Sequence, residues 1–166
     1  MIVPLTLGDF LERAELVYGD REAVVDEPNP PGGGLGRFTY AQFAEMSRSL
    51  GSALDDLGVG ENERVGIVSP NAARFLIALF GVSVFGRILV PINFRLNAEE
   101  IRYIVEHSGS SVLLVDPELD DALKGELKQV VSDFKATWQD RAFNPQPDPP
   151  ADPTKAIAAE AGTSNK

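Results

Sequence analysis

Between Glu63 and Asp116 three short apolar segments recur at regular intervals: Arg64-Val65-Gly66-Ile67-Val68, Ile88-Leu89-Val90-Pro91-Ile92 and Ser111-Val112-Leu113-Leu114-Val115. Two stretches of helical period, residues 71–85 and 97–108, separate them. Continuous apolar strands alternating with helices require a parallel sheet covered on both faces, because each crossover lays a helix across the sheet. A βαβαβ unit is therefore the framework into which the rest of the chain must fit.

The flanking segments carry their own signals. Thr6 opens a first helix with Leu7, Phe10, Leu11, Ala14 and Val17 on one face, and Gly19 stops it. Residues 22–26 read as a strand and residues 37–40 as its hairpin partner. Thr39-Tyr40-Ala41-Gln42 fits a capping box, in which threonine and glutamine each satisfy a backbone amide at the helix start. The helix it opens carries Phe43, Met46, Leu50, Ala53, Leu54 and Leu57 as a stripe and ends at Gly58. Asn71 is placed to cap the next helix, whose positions 75 to 85 are apolar nearly all round and are expected to be buried on most sides. Asn97-Ala98-Glu99-Glu100 opens a further helix with acids in its first turn, and Gly109 ends it. A last helical pattern, residues 119–134, has the stripe Leu119, Leu123, Leu127, Val130 and Val131. Residues 144–153 then hold five prolines in ten, and a disordered tail is expected beyond residue 135.

Composition narrows the function. A net charge of −10 opposes binding to nucleic acid or to an anionic membrane surface. With no cysteine and one histidine, disulfides, thiol catalysis and histidine-rich metal sites are excluded. The absence of cysteine fits a cytoplasmic setting. The N-terminal residues lack the basic and long apolar regions of a secretory signal. The most apolar window, residues 72–92, is interrupted by Arg74, Gly81, Gly86, Arg87 and Pro91 and reads as a buried helix and strand, not a membrane span.

Few residues invite a chemical role. Gly32-Gly33-Gly34-Leu35-Gly36 suggests a phosphate loop, but no Lys-Ser or Lys-Thr pair follows, so a hairpin connection is expected. Ligands of open parallel sheets gather beyond the carboxyl ends of strands, which points to Ser69-Pro70-Asn71 and Asn93-Phe94-Arg95. The plainer alternative has Asn71 capping a helix, Asn93 supporting a loop, and Arg95 paired with Glu99 or Glu100. His107 lies near a helix C-terminus, and no general-base role is assigned to it. Asp55-Asp56 and Asp120-Asp121 read as solvated faces, since one carboxylate pair does not supply a cation's oxygens. No catalytic, cofactor-binding or metal residue is assigned.

Several segments taken in order resemble the N-terminal part of AMP-forming acyl-CoA ligases of the adenylate-forming superfamily. They are Asp9-Phe10-Leu11-Glu12-Arg13-Ala14 with Tyr18-Gly19-Asp20-Arg21-Glu22-Ala23-Val24-Val25, and Phe38-Thr39-Tyr40-Ala41-Gln42. Next come Leu54-Asp55-Asp56-Leu57-Gly58-Val59-Gly60 with Glu63-Arg64-Val65-Gly66-Ile67, and Ser69-Pro70-Asn71. The last is Gly86-Arg87-Ile88-Leu89-Val90-Pro91-Ile92-Asn93-Phe94-Arg95-Leu96, continuing to Glu99-Glu100-Ile101 and His107-Ser108-Gly109. The resemblance implies activation of a carboxylic acid by ATP with magnesium, release of pyrophosphate, and capture of the acyl group by CoA. It also implies a glycine-rich Ser/Thr loop, a ribose-binding acid and a mobile lysine, none of which can be placed here. The echo Ala161-Gly162-Thr163-Ser164-Asn165-Lys166 lacks a preceding apolar strand and is read as chance. The expectation is an incomplete ligase domain over residues 1–135 and a tail of other character over 136–166. Alone it is expected to be inactive and to retain no ATP, Mg or CoA site. The alternative is a non-catalytic module that complements or competes with a full-length ligase, a protein partner covering an exposed sheet edge.

Overall fold

A computed structural model describes residues 6–28 and 33–119. The chain begins with helix α1 (Leu7–Tyr18), followed by an antiparallel hairpin of β1 (Glu22–Val25) and β2 (Arg37–Thr39). Helix α2 (Tyr40–Asp56) leads into the βαβαβ unit: β3 (Arg64–Val68), α3 (Ala73–Ser83), β4 (Ile88–Ile92), α4 (Ala98–Ser108) and β5 (Ser110–Val115). The three strands are parallel in the order β4-β3-β5. The expected α/β class, hairpin and parallel unit are thus all present. Of the final helix expected over 119–134, only Leu119 is described, at the end of a helical start at 117–119. The expected tail lies outside the described residues.

The local signals act as their chemistry requires. Thr39 accepts from the Gln42 amide and Gln42 returns to the Thr39 amide, and the same reciprocal box forms at Asn97 and Glu100. A third box, Thr6 with Asp9, starts α1. Helix α2 ends in a Schellman turn: the Gly58 amide reaches Asp55 O at 2.8 Å and the Val59 amide reaches Leu54 O at 2.9 Å. Gly58 takes the left-handed conformation, φ +76°, that this turn demands.

Crossovers of one hand running in opposite directions place their helices on opposite faces of a sheet. The chain steps from β3 outward to β4, then back across β3 to β5, and two apolar layers result. Val65, Ile67, Val112 and Leu114 pack with α2 and α3, while Val68, Ile92 and Leu113 pack with Ala98, Ile101 and Val105. Every residue of α3 is at least half-covered, as its apolar circumference implies.

Helix α1 departs from its expected burial. Of its stripe only Leu11 is buried; Leu7, Phe10 and Val17 are exposed. What holds α1 against α2 includes a paired contact from Arg48 to both Glu15 oxygens, at 2.8 and 2.7 Å. That hydrogen bond lowers the Glu15 pKa and raises that of Arg48.

Arg87 is nearly buried beneath α2. Its guanidinium donates to Val59 O at 3.0 and 2.7 Å and to Gly51 O at 3.3 Å, and it pairs with Asp55. A buried cation is tolerable only with such company. Asp55 stays on the solvated face of α2, as expected, and also serves as the counter-ion of Arg87.

Candidate functional site

Strands β3 and β4 are adjacent, but the helices that follow them lie on opposite faces. Their carboxyl ends form the kind of crevice where open α/β sheets take ligands. The crest is built from Ser69-Pro70-Asn71 after β3, Asn93-Phe94-Arg95 after β4, and Asp116 after β5.

Asn71 is not the cap of α3. The N-cap is Ala72, which has no side chain able to serve. The carboxylate of Asp26, at the end of β1, takes that place: Oδ1 accepts from the Ala73 amide at 3.1 Å and Oδ2 accepts from the Leu35 amide at 2.9 Å. A carboxylate answers both the open amide and the positive end of the helix dipole. Arg74 ties the same loop down, donating to Gly33 O at 2.6 Å. Asn71 stays exposed, and its side chain has no hydrogen-bond partner among the described residues.

A cavity of about 430 Å³ lies between the hairpin and the start of α3, with Val24, Val25 and Leu76 as apolar wall and Asp26, Glu27 and Asn71 as polar wall. Its volume is within the range of small-molecule sites. The two acids disfavour an anionic group inside it.

On the β4 side, Asn93 Oδ1 accepts from the Arg95 amide at 3.0 Å, supporting its loop as expected. The expected ion pair of Arg95 with Glu99 or Glu100 is not formed. Glu100 is engaged in the Asn97 box, and the Arg95 guanidinium lies 5.2 Å from the Phe94 ring centroid. On the β5 side, Ser69 Oγ contacts Asp116 Oδ2 at 3.0 Å, with both residues buried. Neither Asp26 nor Asp116 stood out in sequence, since each acts on a residue 47 positions away.

The remaining candidates lie elsewhere. His107 is exposed and stacks on Tyr103, ring centroids 5.6 Å apart. Asp120-Asp121, residues 29–32 of the glycine-rich loop and Gly162-Thr163-Ser164 fall outside the described residues. Among the described residues no group of three or more His, Asp or Glu is placed to hold a metal ion. No glycine-rich turn there joins a buried strand to a helix. No helix among the described residues is long and apolar enough to cross a membrane.

The sequence profile described as "AMP-binding enzyme" matches residues 11–161. The match continues past residue 135, where motif reading ends the family-like part. A long-chain-fatty-acid–CoA ligase of Thermus thermophilus is 38% identical over 170 residues, covering 96% of this chain and 31% of the ligase. The 4-hydroxybutyrate–CoA ligase 2 of Metallosphaera sedula is 36% identical over 125 residues, covering 71% of the chain and 22% of the ligase. The chain thus spans about a third or less of these relatives. The crystal structure of the N-terminal domain of FACL13 from Mycobacterium tuberculosis superposes with a TM-score of 0.62 at 29% identity, covering 74% of this chain and 31% of that one.

Proposed function

The chain belongs to the AMP-binding enzyme family, and on that footing we propose that it forms the N-terminal, acid-side portion of an AMP-forming acid–CoA ligase. In such a reaction a carboxylate attacks the α-phosphorus of ATP and pyrophosphate leaves. The thiol of CoA then attacks the acyl carbon of the adenylate and AMP leaves. The reading rests chiefly on the family match over residues 11–161. It is supported by the open crest at β3 and β4, where Asn71 and Arg95 are exposed. In this reading the crest and the adjoining recess face the acid. The phosphate loop, ribose-binding acid and catalytic lysine are supplied from outside these 166 residues, and the setting is cytoplasmic.

The test is ATP–pyrophosphate exchange by the purified chain with a panel of aliphatic and aromatic acids. No exchange, and no ATP-dependent rise in melting temperature, is the expected result. Exchange above background would show that these residues bind nucleotide and would overturn the division of labour. A second reading, a non-catalytic module that complements or competes with a full-length ligase, draws on the exposed apolar strip of α1. Added chain changing the turnover of a full-length relative would favour it.

A further inference from the structure

We propose that Ser69 and Asp116 are positioning residues that set the crest turn and thereby aim Asn71 at the acid. This rests on the crest facing the substrate, as proposed above. The two residues lie beyond neighbouring strands, β3 and β5, and are 5% and 2% exposed. Ser69 Oγ is 3.0 Å from Asp116 Oδ2 and 2.9 Å from Pro70 O, so its one proton is shared between carboxylate and carbonyl. Pro70 O also accepts from the Ala72 amide at 2.8 Å, which closes the turn around Asn71. Asp116 is itself held from three sides. Its amide donates to Val68 O at 2.9 Å, its Oδ1 accepts from the Glu118 amide at 3.1 Å, and its carbonyl accepts from the Leu119 amide at 2.9 Å. A continuous path of hydrogen bonds therefore runs from β5 through Ser69 and the Pro70 carbonyl to the residues flanking Asn71.

The cost of this arrangement points to position and not to packing. A buried carboxylate accepting from one hydroxyl and one amide, with no ion pair to it seen among the described residues, is expensive to desolvate. An apolar side chain would fill the same space at lower cost but would leave the turn without its lateral anchor. The residue so held, Asn71, has a carboxamide without a hydrogen-bond partner among the described residues and lines the recess.

Amide spectra of the full 166-residue chain test this with Ser69→Ala, Asp116→Ala and Asp116→Asn. An asparagine keeps an acceptor for the Glu118 amide and can donate to Ser69 Oγ, leaving the serine proton to Pro70. The expected result is that both alanine variants shift the backbone and carboxamide signals of Asn71, while α2 signals stay in place and Asp116→Asn restores the Asn71 signals. With decanoate and benzoate as probes, the alanine variants should bind at least fivefold more weakly than wild type, and Asp116→Asn within twofold of it. Unmoved Asn71 signals in a folded Ser69→Ala variant would overturn the proposal, as would failure of asparagine to rescue. If wild type binds neither acid, the functional reading fails, and the Asn71 signals alone still decide the positioning role. Should Asp116→Ala not fold, Ser69→Ala and Asp116→Asn carry the same decision.

Discussion

Asp26 and Asn71 divide the work that sequence alone gives to one of them. An asparagine just before an apolar helix is a sound cap candidate, because its carbonyl can reach an open amide two or three residues on. Here the hairpin brings a carboxylate to the same amide, and a charged acceptor at the positive end of a helix is the stronger partner. The displaced asparagine stays in solvent at the mouth of the recess. Two substitutions separate these roles. Asp26→Ala removes the cap of α3 and strands the Leu35 amide, so it should cost about 1–2 kcal/mol in urea unfolding. Asn71→Ala removes no side-chain hydrogen bond seen among the described residues and should stay within about 0.5 kcal/mol of wild type. Equal losses from the two would show that Asn71 caps the helix after all.

At the scale of elements, strands and helices were legible because their periods differ and their caps are local. The helix expected over 97–108 is Ala98–Ser108 behind its Asn97 cap, and the strand over residues 88–92 is matched in full. What was not legible is the contact between α2 and α3. The apolar stripe of α2 predicts a face centred on Phe43, Leu50 and Leu54, but Ala44, Ser47 and Gly51 are buried beside it. Small residues carry no hydrophobic signal, yet they let two helices close. A Cβ built on Gly81 would lie 2.7 Å from Ser47 O and 2.9 Å from Leu50 side-chain atoms. Gly81→Ala gains about 1 kcal/mol in helix propensity. The clash is with backbone, which cannot yield without parting the helices, and overpacking of this kind costs about 1–3 kcal/mol. The net expectation is a lower urea midpoint, and a raised one would mean that the helices are not in contact at this glycine. Arg87 was equally opaque: as a charge it argued only against a membrane span, whereas its partners Gly51, Asp55 and Val59 lie about 30 residues away in the chain.

The whole molecule has both faces of its sheet covered and yet leaves one helix half-dressed. The amphipathic pattern of α1 is strong enough to predict an inward face, but Phe10 is 56% and Val17 is 53% exposed. The hydrophobic effect works on area removed from water, and side chains in this state keep most of that driving force unspent. Contiguous apolar surface of this sort favours association in solution. The chain spans 31% and 22% of two of its relatives, which supply far more polypeptide than these residues do. In isolation, then, the strip should drive concentration-dependent self-association, visible by sedimentation velocity. The double substitution Phe10→Ser with Val17→Ser should abolish it while leaving the urea midpoint nearly unchanged, because neither side chain is in the core. Two outcomes would count against this account. A wild-type chain that stays monomeric at every concentration would mean the strip is not adhesive. A double variant that loses 2 kcal/mol or more, the size of a core truncation, would mean that α1 buries its face within a single molecule in solution.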